Sequence, residues 1–192
     1  ANTNVDIITL KYDANLNLID SITYDGPITW DYDYGMFVGT DNSNNVYVVG
    51  SVDNGTTSDD IAVLKYDNNL NLLWDRFYNG TGNLSETPLG FVIEASGKVF
   101  ITGAATNIYE AQYIPVLNYD TNGNLIWKGQ LGEDWDGYEV GQDLAIDNLG
   151  NIYVTGVMLR PVTWDLDYVT LKFTPPDTDY VWGMPYNSPG NG

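Results

Sequence analysis

The chain alternates short apolar runs with polar turns and never settles into the 3.6-residue spacing of an amphipathic helix, so helix is expected to be nearly absent. One stretch reads "LGFVIEA" (89–95), "KVFITG" (98–103), "YIPVLNY" (113–119) and "NLIWKGQL" (124–131). The runs are rich in Val, Ile, Tyr, Phe and Trp and bounded by Asn, Gly, Asp or Ser, which is the pattern of short strands. Some, such as "IAVL" (61–64), are apolar throughout rather than alternating. That is expected of sheets covered on both faces.

The pattern also repeats. "LKYDANLNLID" (10–20), "LKYDNNLNLLW" (64–74), "LNYDTNGNLIW" (117–127) and the divergent "LKFTPPDTDYVW" (from 171) are copies of one hairpin at intervals of 53–54 residues. Gly50, Gly103 and Gly156 close the matching runs "NVYVVG", "KVFITG" and "NIYVTG". Four strands in a repeat of this length make a propeller blade, because one four-stranded sheet leaves both faces wet while stacked blades cover each other. The predicted fold is all-β, a β-propeller segment of about three and a half blades. With strands lettered A (innermost) to D, residues 6–24 form a C–D half blade, and full blades span about 35–78, 88–131 and 141–186. This is too few for a closed ring of about six to eight. The expected partners are therefore further blades of the same chain or other copies of it. Pro115 is awkward in an interior strand, and predicts either a bulge or a different strand order.

The "NxYVxG" strand (151–156), the "LKYDxNLNLLW" hairpin (64–74) and the "AIDNLGN" turn (145–151) resemble the SBBP family of β-propeller repeats found in exported proteins. The resemblance runs along nearly the whole chain. It implies a propeller scaffold, and an extracellular or cell-surface location.

Charge narrows the partners. There are 26 acidic and 7 basic residues, no His and no Cys, for a net charge of −19. That balance disfavours nucleic acid and anionic lipid. It leaves no thiolate, no disulfide and no imidazole base. No run is long and apolar enough for a helical membrane span.

Propeller topology puts the short A–B and C–D turns on one face and the long, irregular B–C and D–A loops on the other. Recognition is expected on the loop-bearing face. Three of its loops, "TWDYDY" (29–34), "EDWDGY" (133–138) and "TWDLDY" (163–168), combine aromatics with carboxylates. Trp30, Asp31, Asp33, Trp135, Asp136, Trp164 and Asp165 are the candidate ligand-binding residues, with indoles to stack on a sugar and carboxylates to hold its hydroxyls. Asp31 with Asp33, and Asp134 with Asp136, are candidate oxygen ligands for Ca²⁺. The plainer reading is that the aromatics fill gaps between blades while the acids are solvated. Asp41, Glu94 and Asp147 end the three A strands, either as an acidic ring or as turn residues. Sequons at Asn54, Asn79 and Asn83 fall in the same loops and are candidate glycosylation sites.

No nucleophile–base pair or phosphate loop is present. The function expected is that of a non-enzymatic, exported or cell-surface propeller scaffold, binding or assembly protein whose partner is carbohydrate or another surface protein. The alternative is a secreted carbohydrate-active propeller enzyme or carbohydrate-binding module, since glycosidase chemistry needs only two carboxylates.

Overall fold

The computed structural model describes residues 5–28, 32–55, 58–132, 137–159, 165–177 and 179–186. Among the described residues all fourteen elements are strands. The half blade is β1 (Ile7–Tyr12) and β2 (Leu18–Tyr24). The first full blade is β3 (Tyr34–Thr40), β4 (Val46–Asp53), β5 (Asp59–Tyr66) and β6 (Leu72–Tyr78). The second is β7 (Thr87–Ile93), β8 (Val99–Thr106), β9 (Gln112–Tyr119) and β10 (Leu125–Leu131). The third is β11 (Glu139–Ile146), β12 (Ile152–Leu159), β13 (Leu166–Phe173) and β14 (Tyr180–Tyr186). Every sheet is antiparallel in sequence order, A to D, as in propeller blades.

The core consists of the layers between blades. Ile7, Val48, Val52, Ala62, Leu64 and Tyr66 fill the junction of the half blade and the first blade. Val49, Ile61 and Val63 meet Val99, Ile101 and Leu117 in the next. Ile114 and Val116 meet Val154, Val169 and Leu171 in the last. Opposite faces of one strand thus serve two junctions, which explains the unbroken apolar runs.

Two backbone devices recur. Each A strand carries a bulge, between Gly35 and Phe37, Pro88 and Gly90, and Gly141 and Asp143. The bulge presses a carbonyl onto the B strand, so a Cβ on Gly50, Gly103 or Gly156 would lie 1.9, 2.0 or 2.1 Å from the carbonyl oxygen of Tyr34, Thr87 or Val140. Only glycine fits there. The hairpin turns share a second device: Asp13, Asp41, Asp67, Asp120 and Asp147 each accept backbone N–H groups two and four residues on, and the amide of an Asn four residues on. Asp41 and Asp147 are therefore turn residues, and Glu94 accepts from Ser96 Oγ in its own turn. Turn chemistry accounts for all three without an acidic ring.

Pro115 does lie in an interior strand. The β8–β9 ladder lapses between the Thr102–Val116 and Ala105–Tyr113 pairs, and Thr102 Oγ1 donates to the Pro115 carbonyl at 2.9 Å. The strand order stands, and the missing N–H is accommodated by a gap in the ladder.

Candidate functional site

The B–C and D–A loops share one end of the blades, opposite the tight turns. Of the residues singled out there, Trp30, Asp31, Asp134, Trp135, Asp136 and Trp164 lie outside the described residues. Asp165 is exposed just before β13. Asp33 is buried, at 3% exposure, and its Oδ2 accepts the Gly26 N–H at 2.6 Å. It lies beside Asp6 and Asp25, and the three carboxylates each offer an oxygen within 4.8 Å of the others. Oxygens so spaced could hold a metal ion. Asp6 and Asp25 carry no signal in the local sequence; only the packing of the half blade on the first blade brings them to Asp33.

Asp33 is one member of a series. Glu86 and Glu139 follow it at intervals of 53 residues, each at the start of an A strand, and both are buried. A glycine of the preceding D–A loop closes over each acid. A Cβ on Gly26 would lie 3.0 Å from Asp33 Oδ1, one on Gly80 2.7 Å from Glu86 Oε1, and one on Gly132 2.5 Å from Glu139 Oε2. A second series faces the first from the start of each C strand: Asp6, Asp60, Tyr113 and Asp167. Asp6 meets Asp33, and Asp60 lies beside Glu86, whose N–H is bonded to the Asp59 carbonyl. The loop-bearing end therefore carries acid–acid contacts at two successive junctions.

Nearby backbone fixes this geometry. Each A strand begins against the C strand of the preceding blade: Asp33 N donates to the Val5 carbonyl and Glu86 N to the Asp59 carbonyl, both at 2.7 Å, and Gln112 bridges Tyr138 in parallel. Burial pushes Glu86 up to about 7 and Asp60 up to about 6; the nearby carboxylates add to the rise.

The sequons differ in their surroundings. Asn54 Nδ2 donates to Asp60 Oδ2, within the junction. Asn79 is half-buried and its Nδ2 donates to Asn83 Oδ1 at 3.2 Å, while Asn83 is itself exposed.

At the opposite end, Lys11 Nζ donates to the Asn68 carbonyl at 2.5 Å, and Lys65 Nζ to the Thr121 carbonyl at 2.9 Å. The indoles of Trp74 and Trp127 donate to the carbonyls of Thr121 and Asp177. C and D strands thus hold the C–D turn of the following blade.

Residues 126–157 match the family model described as the SBBP β-propeller repeat. This segment is similar to an SBBP repeat. It runs from β10 across the D–A loop into β12, so the SBBP unit spans the junction of the second and third blades, Glu139 included. No curated protein matches the chain.

Proposed function

We propose that the chain is a sector of a non-enzymatic, exported or cell-surface SBBP propeller that works as a scaffold. Its half blade takes up an A–B hairpin from further blades, and its loop-bearing end carries recognition of a carbohydrate or a surface protein. One observation carries the assembly reading. Among the described residues β1 pairs only with β2, and a groove of about 210 Å³ lies beside its other edge, lined by Ile7, Ile8, Leu10, Met36, Val38 and Val48. In every full blade a B strand occupies that edge. Ile8, Leu10 and Val38 are 61%, 44% and 67% exposed, an apolar edge of the kind that soluble sheets cover.

The direct test fuses a hairpin with the sequence of residues 34–53 ahead of residue 1, which restores the order A–B–C–D. A rise in melting temperature and a loss of apolar-dye binding are expected. A fusion that melts no higher and binds as much dye sinks the assembly reading. Glycan-array binding tests the recognition reading, and polysaccharide hydrolysis would instead support the carbohydrate-active alternative. Calcium belongs to the proposal at Asp33, with Asp6 and Asp25 as its neighbours. A melting temperature unmoved by millimolar-range Ca²⁺ removes it.

A further inference from the structure

The acid pair at the junction of the first and second full blades has a property that neither scaffolding nor recognition requires. Asp60 and Glu86 are both 0% exposed. Asp60 Oδ2 accepts from Asn54, and Glu86 Oε1 accepts from Thr106 N at 3.2 Å. The other two oxygens, Asp60 Oδ1 and Glu86 Oε2, are buried and meet no donor from the protein. The Glu86 N–H donates to the carbonyl of Asp59, the chain neighbour of Asp60, at 2.7 Å, and the two buried carboxyls act on each other across the junction. Two buried carboxylates cannot both stay ionised at that range without a counter-charge.

We propose that Asp60 and Glu86 hold one proton between them, so that the junction of these two blades is a pH-sensitive clasp that tightens when the proton is bound.

Of the two, Glu86 is raised to the higher value by its burial, which puts the proton on Glu86 and the anion on Asp60. Asp60 receives the Asn54 amide, which stabilises its charge, and the Glu86 hydroxyl then completes its shell. The titratable groups around the pair are Asp53 at the end of β4 and Asp59 beside Asp60 on β5, both of which raise the proton affinity of Asp60. From the second blade comes the Tyr113 phenol, whose hydroxyl would lie 3.2 Å from a Cβ on Gly80 and which pairs with the Tyr78 hydroxyl at 2.8 Å. The Gly80 N–H also donates to Glu86. The remaining contacts on either carboxyl are neutral, and no Lys or Arg hydrogen-bonds with them among the described residues.

The sequence makes such a proton readable. With no His and no Cys, no ordinary side chain titrates between about pH 6 and 8, leaving the α-amino group as background. A carboxyl pair whose proton affinity is raised on folding contributes stability below the unfolded value, and loses it as pH rises through the folded one. Stability should therefore fall between about pH 5 and 8, approaching a tenfold rise in the unfolding equilibrium constant per pH unit for one proton.

The experiment is urea unfolding of the whole chain from pH 5 to 9, for the wild type, Glu86→Gln and Asp60→Asn, with and without Ca²⁺. Infrared absorption of a protonated carboxyl at pH 6 is recorded in parallel. Expected are a falling stability for the wild type, a flat profile for Glu86→Gln, whose amide still donates to Asp60, and a carboxylic-acid band present in the wild type and absent in Glu86→Gln. Equal slopes in wild type and Glu86→Gln, or no such band, overturn the proposal. So does a wild-type slope abolished by Ca²⁺, which would assign the pair to a cation. If neither variant folds, the wild-type band alone decides. Failure of the hairpin fusion would leave this result untouched, since Asp60 and Glu86 face each other at the junction of the first and second full blades.

Discussion

Lys65 Nζ lies 2.9 Å from the carbonyl oxygen of Thr121, 56 residues on and in the C–D turn of the next blade. The same ammonium sits 5.0 Å from the centre of the Tyr47 ring. The lysine stem thus lies over an aromatic ring while its ammonium fastens one blade to the next. Hydrogen bonds to a charged donor contribute about 1.5–3 kcal/mol, more than neutral ones. Lys65→Met, which keeps the stem and loses the charge, is expected to cost about 2 kcal/mol in urea unfolding. Lys172→Met should cost less, about 0.5–1 kcal/mol, because among the described residues its ammonium lies over the Tyr153 ring and has no hydrogen bond to a turn. Equal costs would remove the inter-blade role.

The B-strand glycine makes a second test. A Cβ on Gly103 would stand 2.0 Å from the Thr87 carbonyl oxygen and 3.0 Å from the Pro88 Cα, both backbone. Nothing flexible can give way, so the A-strand bulge must move. Gly103→Ala is expected to lose more than about 3 kcal/mol, near the upper end for a single substitution. A loss below about 1 kcal/mol in chemical denaturation would show that the bulge yields.

The hairpin turns offer a stabilising change. Leu16 and Leu70 occupy one turn position at φ 64° and 57°, where the equivalent residues Asn44 and Gly123 are better suited. The left-handed conformation costs a residue such as leucine about 1–2 kcal/mol, and Asn tolerates it better. Leu16 is 82% exposed and has no packing to lose, so Leu16→Asn should raise stability by about 0.5–1 kcal/mol. Leu70 is 5% exposed, and the same change there should be destabilising because lost burial outweighs relieved strain. Thermal melts of the two variants should shift in opposite directions.

These residues also mark what the sequence makes legible. Apolar runs and 53-residue spacing reveal the blades, their strand order and the half blade, because each signal lies within one repeat. Links between repeats are hidden. Thr121 is a partner of Lys65 and Trp74 through a backbone carbonyl, which leaves no trace in residue type. Asp33, Glu86 and Glu139 are in step at 53 residues, but the covering glycines precede them by seven, six and seven, so loop-length variation blurs the motif. Asp6 and Asp25 meet Asp33 only through the stacking of blades. Burial of an acid is set by the neighbouring blade, and the loop sequence "TWDYDY" reads Asp33 as solvent-facing for that reason.

On the acid side the turn aspartates govern stability. Hydrogen bonds from Asn151 lead the effects that hold Asp147 at about 2, and Asp13, Asp67 and Asp120 are lowered by their Asn partners in the same way. A carboxyl lowered on folding contributes stability above its unfolded value and loses it as pH falls through the folded one. Stability should therefore drop from about pH 4 towards pH 2, opposite in sign to the change expected above pH 5 from Asp60 and Glu86. Asp147→Asn keeps an acceptor for the turn, as Asn107 does for the N–H groups of Tyr109 and Ala111. It should leave neutral stability little changed and flatten part of the acid limb. An acid limb identical to wild type would show that this turn does not contribute.

Glycan acceptance should separate the three sequons. Transfer uses the Asn side-chain nitrogen, so the amide must be accessible and able to leave its hydrogen bonds. Asn54 Nδ2 is held by Asp60 in a buried junction, and removing it would strip the anion of a donor. Asn79 is half-buried, and its Oδ1 is enclosed. Asn83 is exposed, with its Oδ1 accepting from Asn79 and its chain turned at φ 50° away from regular sheet. Expressed in a host that glycosylates Asn-X-Ser/Thr, the chain is expected to carry a glycan at Asn83, with little at Asn79 and none at Asn54. Glycopeptide mass spectrometry reads the three sites separately. High occupancy at Asn54 would mean that the glycan is added before the blades close, or that the Asn54–Asp60 contact is not maintained. Asp60→Asn discriminates between these: occupancy unchanged by it points to addition before closure, and occupancy raised by it points to the contact as the gate.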